Sequence, residues 1–193
     1  MASELGVQTL QHTNGTTAAT IDSDGEVAFS QPFAVNPKLI GSAVSLSGLA
    51  HKDFTIPSGT NRFTVTLNNV SGPENGYLRT RLGTSSGIIS STSYTTHNAN
   101  GSDTNSFSGY GGSSGGISLS AWSSNLAKLT GTMQWTHFGG NFWYMDAPIV
   151  APDYAAYFIS YRGAISLGAE LTTVRIFPAT GTFDDGTANL LLG

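Results

Sequence analysis

The chain has no cysteine. Disulfides, thiolate metal sites and a cysteine nucleophile are therefore excluded, and the redox compartment stays undetermined. Charge is scarce as well: Asp, Glu, Lys and Arg make up 10% of the residues, against roughly 25% in an ordinary globular domain. Helical surfaces rely on Glu, Lys, Arg and Gln for propensity and i,i+4 pairing, so a chain this poor in them has little with which to cover exposed helices. No run approaches the roughly 18 apolar residues that a membrane helix requires. Residues 1–12 lack a basic patch followed by an apolar stretch, so no secretory signal is expected. The net charge of −4 speaks against a nucleic-acid backbone as partner, because phosphate selects a basic stripe.

In place of charge stand 24 Gly and 47 Ser plus Thr among 193 residues, with 39% hydrophobic residues. Thr-rich strands and Gly/Ser/Asn loops keep a β protein in solution through hydroxyls and amides. The length suits one domain with a small appendage. The spacing predicts an all-β chain, an antiparallel β-sandwich or jelly roll, with residues 1–35 as an N-terminal attachment arm and 36–193 as the sandwich domain.

Within the arm, 6–12, 17–21 and 27–29 read as short strands, with Thr13-Asn14-Gly15 and Asp22-Ser23-Asp24-Gly25 as turn signals. Its apolar residues Val7, Leu10, Ile21, Val27, Phe29 and Phe33 are too few for an independent core and are the candidate docking residues. They would either pack on a neighbouring subunit or add a strand pair to the main sheet. In the body, residues 62–68 are the clearest strand: Phe63, Val65 and Leu67 share one face, Thr64, Thr66 and Asn68 the other. Leu78 and Leu82 oppose Arg79 and Arg81 in 77–82. Further strands are expected at 88–94, 128–136, 142–145, 155–162, 174–177 and 188–192. Gly139-Gly140-Asn141, between two aromatic-rich segments, reads as a hairpin that sends about half of its rings inward. Residues 120–129 have room for a helical turn or two. Residues 98–116, rich in Gly, Ser and Asn, read as a long exposed loop.

No residue set stands out as catalytic. His12, His51, His97 and His137 lack the spacing of a zinc site. Asp184-Asp185-Gly186 reads as a turn with its carboxylates facing water, not as a calcium loop. The acids sit mostly in turns, where solvation places them, rather than as the close pair that glycosidase chemistry requires. There is no nucleophile elbow and no phosphate loop. The chain is accordingly read as a non-enzyme with no cofactor. Phe107, Tyr110 and Trp122, set among small polar residues, are the candidate contacts for a glycan or partner.

Both ends carry a resemblance. Val7, Thr9-Leu10-Gln11-His12-Thr13, Gly15-Thr16, Thr20-Ile21-Asp22-Ser23, Gly25 and Val27 resemble the opening of small virion proteins of tailed phages, marine and cyanobacterial ones in particular. Arg175-Ile176, Pro178, Gly181, Phe183, Gly186-Thr187 and Leu190 resemble the ending of phage appendage proteins, though Leu191-Leu192-Gly193 replaces the usual tyrosine. These segments cover about 40 of 193 residues. The resemblance implies a structural protein of the virion, made in the host cytoplasm during assembly and commonly a homotrimer. A tail-fibre or appendage subunit docking through its arm is the leading expectation. A capsid decoration protein or a host-glycan-binding module is the alternative, and a depolymerising enzyme ranks last. The expected partners are further copies of the chain, a tail, baseplate or major capsid protein, and a host surface glycan, with no nucleic acid and no membrane insertion. Met1 and the small size suggest a self-contained product.

Overall fold

The computed structural model describes residues 9–11, 17–21, 23–24, 27–29, 38–74, 76–90, 94–101, 115–121, 128–151 and 157–193. The chain divides into two compact units, Met1–Asn36 and Pro37–Gly193. In the first, β1 (Thr9–Gln11), β2 (Thr17–Ile21) and β3 (Val27–Phe29) form an antiparallel sheet in the order β1-β2-β3. Leu10 pairs with Ala19, and Ile21 with Val27, and Ser23 and Asp24 lie in a turn between β2 and β3.

The second unit is a β-sandwich, and no helix occurs among the described residues. One layer has seven strands: β4 (Lys38–Ser45), β6 (Arg62–Ser71), β9 (Thr95–Gly101), β11 (Leu129–His137), β12 (Phe142–Ala151), β13 (Tyr157–Ser166) and β15 (Asp185–Leu192). Their order is β4-β15-β6-β11-β12-β13-β9. The other layer contains β5 (Lys52–Thr55), β7 (Tyr77–Thr84), β10 (Ile117–Ala121) and β14 (Leu171–Pro178) in the order β10-β7-β14-β5, with the short β8 (Gly87–Ile88) paired to β7. The layers are unequal, unlike the paired four-stranded sheets of an eight-strand jelly roll.

Alternation decides what lies between the layers. In β6, Phe63, Val65 and Leu67 are buried while Thr64 and Thr66 are half-buried and Asn68 is exposed. β12 buries Trp143, Met145, Ala147, Ile149 and Ala151 in the same way, and β7 and β14 contribute Leu78, Leu82, Val174 and Ile176 from the opposite layer. Each such side chain removed from water stabilises by roughly 1.5–3 kcal/mol, and the period of two requires no helix to achieve it.

Two expectations about strand limits are corrected. The strand expected at 88–94 is not continuous: β8 ends at Ile88, and Tyr94 turns inward immediately ahead of β9. Its hydroxyl accepts from the Leu82 N–H (2.8 Å) and donates to the Ile89 carbonyl (3.1 Å), tying this connection to β7. The loop expected at 98–116 is partly strand, because 98–101 pair with 158–161 of β13. At the far end, Ser120 and Ala121 belong to β10, which leaves the room for helix proposed at 120–129 occupied by strand at both limits.

Backbone conformation matters most where β15 crosses β6. The register slips between Asp185 and Thr187 opposite Asn69 and Val70. Gly186 there has φ +107, and a Cβ on it would stand 2.5 Å from Val70 Cα and 2.7 Å from the Asn69 carbonyl oxygen. Both atoms belong to the backbone and cannot rotate away. Gly186→Ala is therefore expected to destabilise the sandwich by about 2–4 kcal/mol, measured by chemical denaturation.

Tyr94 supplies a pH test of the same core. Burial pushes its phenol up to about 12, opposed by the Leu82 backbone bond and the Arg81 charge. A proton-bearing group whose folded pKa lies above its ordinary 10.0 stabilises fully below that pH and loses the contribution as pH climbs through the folded value. Stability is expected to fall by about 2–3 kcal/mol between roughly pH 10 and 12. Tyr94→Phe should abolish that part of the alkaline transition.

Candidate functional site

Two surfaces of the sandwich unit concentrate chemistry, and both follow from strand alternation. The first is the β11–β12 hairpin. Gly139, Gly140 and Asn141 all have positive φ (91°, 55° and 60°), a combination that only glycine and asparagine adopt readily. The Phe138 N–H donates to the Phe142 carbonyl and the Phe142 N–H to the Gly139 carbonyl, each at 2.9 Å, closing the turn. Trp135 and Trp143 go inward. Phe138 and Phe142 go outward, 67% and 41% exposed, and Phe138 meets Tyr144 edge to face at 6.1 Å. His137 stacks on Trp143 at 5.0 Å, and its Nδ1 lies 3.3 Å from Asn61 Oδ1. The result is a ridge of ring surface with hydrogen-bonding groups at its margin. Such a ridge suits contact with a partner or a sugar face.

The second surface is the outward face of the five-stranded sheet. The register places Arg81 opposite Arg175 and Arg175 opposite Asp53, while Arg79 lies opposite Phe177 on one side and Ser118 on the other. Three of the chain's eight basic residues thus share one face, on strands about 4.8 Å apart. Arg175 Nε and Nη2 donate to the two Asp53 oxygens at 2.6 and 2.7 Å. That fork holds the Asp53 carboxyl below its ordinary value against the opposing effect of burial, and raises Arg175 in turn.

Arg81 is held differently. Its guanidinium lies over the Phe177 ring, 4.6 Å from the centroid, and its Nε donates to the Gly115 carbonyl. A Cβ on Gly115 would stand 2.7 Å from Arg81 Nη2, so glycine is what lets the backbone lie against the side chain. Desolvation lowers the Arg81 pKa; Tyr94 opposes this, and the neighbouring charges of Arg79 and Arg175 add to it. Arg79 is half-buried, and its Nε has no hydrogen-bond partner among the described residues.

The residues singled out from sequence fall as follows. Phe107, Tyr110 and Trp122 lie outside the described residues, as do Val7 and Phe33. Leu10, Val27 and Phe29 occupy strand positions in β1 and β3, and Ile21 is half-buried in β2. His51 is exposed, and no group of three or more potential metal ligands occurs among the described residues. Asp185 does not simply face water: its Oδ1 accepts from the Gly186 N–H at 2.7 Å and its Oδ2 pairs with Lys128 at 3.3 Å. Sequence reading missed the arginine face. The i,i+2 spacing of Arg79 and Arg81 was a visible signal, but Arg175 joins them only through the β7–β14 register.

The hairpin makes a sharp distinction between neighbouring rings. Trp143→Ala should cost about 3–5 kcal/mol because it empties a core position against Phe63, 5.6 Å away between ring centres. Phe138→Ser should change unfolding free energy by no more than about 0.5 kcal/mol. Equal losses in denaturant titrations would show that the ridge is structural rather than a contact surface. Comparison with family models, curated proteins and solved structures finds no match for this chain.

Proposed function

We propose that the chain is a non-enzymatic structural subunit of a bacteriophage particle, a tail-fibre or appendage component that docks through its N-terminal unit. The observation that carries this reading is the thinness of that unit. Its three strands have only three, five and three residues. A small sheet needs an apolar face packed against something to persist, so these residues are suited to ordering against a neighbour. The two terminal segments that resemble virion and appendage proteins supply the identity of that setting. A surface solubilised by hydroxyls rather than charge also suits a particle component, which meets protein surfaces on several sides.

A second reading, recognition of a host glycan, is favoured by the exposed Phe138–Tyr144 pair, since a ring ridge can stack on a sugar face. The two readings are compatible on one subunit: attachment at the N-terminal unit, contact at the hairpin.

Particles assembled with the full chain should contain it at a fixed copy number by quantitative mass spectrometry, while a chain lacking residues 1–36 should be absent from purified particles. Incorporation of the truncated chain at full copy number would remove the docking role. A few to a few dozen copies of the full chain would mark a tail location, and hundreds would mark a decoration protein.

A further inference from the structure

Along β7, side chains alternate between the core and the outer face. Leu78, Thr80 and Leu82 are buried, so Tyr77, Arg79 and Arg81 stand outward in a line, about 6.8 Å apart along the strand. Tyr77 is 46% exposed. β7 lies between β10 and β14, and the register sets Ser118 on one side of Arg79 and Phe177 on the other. Arg81 leans over that same Phe177 ring, which draws its guanidinium toward the row of Arg79.

The charges on this face do not cancel. Asp53 accepts both donors of the Arg175 fork, whereas neither Arg79 nor Arg81 has a carboxylate partner among the described residues. The Nε of Arg79 is buried and has no hydrogen-bond partner among the described residues. A buried donor in that state is one that an ion or a ligand group completes. Arg81 is fixed by Phe177 and the Gly115 carbonyl, so it has little side-chain entropy left to lose when an anion engages it. Burial disfavours the charge on Arg81, and the charges of Arg79 and Arg175 add to that effect. An oxyanion among the three relieves the repulsion.

The surroundings of the pair select the kind of anion. β7 is an interior strand whose backbone pairs with β10 and β14, so an extended peptide that binds by adding a strand has no edge to use here. A nucleic-acid backbone selects a longer basic stripe, and in residues 37–193 eight acids balance eight bases. An exposed tyrosine ring in line with two guanidinium groups, with a serine beside them, offers a flat apolar surface, paired N–H donors and a hydroxyl. Those groups complement a sugar unit that bears a negative charge. We infer that the Tyr77–Arg79–Arg81 line binds an acidic saccharide, its guanidinium groups on a carboxylate or sulfate and its phenol ring against the sugar face. The inference goes beyond both readings above. It concerns the layer opposite the hairpin ridge, and it holds whether or not the chain belongs to a particle.

The test is isothermal titration calorimetry on the purified full-length chain, with thermal melts to confirm folding of every variant. The probes are polygalacturonate, dextran sulfate, unmodified dextran and polyglutamate. Binding to one or both acidic polysaccharides is expected at about 50 mM salt, weakening about ten-fold or more near 500 mM, where the screening length falls to a few ångströms. Which of the two binds separates a carboxylate site from a sulfate site. Arg79→Ala and Arg81→Ala should each weaken binding about ten-fold or more, and Tyr77→Ala about three-fold or more. Arg162→Ala and Phe138→Ser, both in the other layer, should leave the affinity unchanged. Should Arg79→Ala fail to fold, Tyr77→Ala tests the same site from an exposed position.

A chain that binds neither acidic polysaccharide overturns the inference. So does equal binding to unmodified dextran, or an affinity that ignores Tyr77, Arg79 and Arg81. A loss in Arg162→Ala or Phe138→Ser as large as that in Arg79→Ala moves the site off this face. Polyglutamate bound as tightly as the polysaccharides, with no effect of Tyr77→Ala, overturns the saccharide assignment and gives the face to an acidic protein.

Discussion

Phe63, Trp135 and Trp143 form the contact on which the remaining structure depends. They come from adjacent strands β6, β11 and β12, with ring centres 6.2 Å apart between Phe63 and Trp135 and 5.6 Å between Phe63 and Trp143. Val65 and Leu67 of β6, Met133 of β11 and Met145, Ala147 and Ile149 of β12 follow inward by counting in twos from these rings, so a slip of one residue in any of the three strands would turn its apolar row toward water. That rigidity also fixes the outside. Because Trp135 and Trp143 point inward, the tight reversal between their strands has to present Phe138 and Phe142 at its exposed tip. Because Leu78 and Leu82 point inward, Arg79 and Arg81 must point outward. The two surfaces available for recognition are thus consequences of how the core is packed.

Strand alternation made part of this fold legible in the sequence. Residues 62–68 and 77–82 have a clean period of two, and each lies within a longer observed strand, β6 and β7. The reversal at Gly139-Gly140-Asn141 was legible from its residue types, since positive φ at three successive positions leaves few alternatives to Gly and Asn. The strand expected at 142–145 runs on to Ala151 as β12, through Pro148. A proline lacks the N–H that a central strand normally donates. The structure accommodates it through a break in the ladder: no residue of β12 pairs with Thr132 or Met133 of β11, and beside this gap Gly131 admits the Pro148 carbonyl at close range. Residues 98–101 of β9 read as loop for a different reason. Its Thr-Thr-His-Asn-Ala-Asn-Gly sequence has no apolar alternation, and it forms the outermost strand of its layer. A polar edge strand discourages unwanted pairing between sheets, and the same polarity hides it from pattern reading.

The functional surfaces were less legible than the fold. Phe107, Tyr110 and Trp122, the aromatics set among glycine and serine, lie outside the described residues, while the ring ridge at Phe138 and Tyr144 stands on the hairpin whose residue types predict that about half of its rings face outward. Exposure depends on which side of a strand a residue falls, and on where the strand ends. The arginine face shows the same limit more sharply: Arg79 and Arg81 declare a shared side, but Arg175 lies nearly a hundred positions away and meets them only through the pairing of Arg175 with Arg81. Local pattern predicts the period of a strand and leaves its partners open.

The scarcity of charge gives these arginines their weight. In a domain with ordinary charge density, two guanidinium groups on one sheet would find carboxylates among their neighbours, and their net field would be small. Here hydroxyls and amides do most of the solubilising, so each uncompensated charge persists as a directional feature. Residues 1–36 hold four acids and no lysine or arginine, while in residues 37–193 eight acids balance eight bases. Electrostatics that come from the placement of a few side chains rather than from net charge select partner and orientation more than raw affinity. The apolar ridge at Phe138 works by burial, which has little directionality and no long reach. A subunit that carries both kinds of surface can be oriented by one and held by the other.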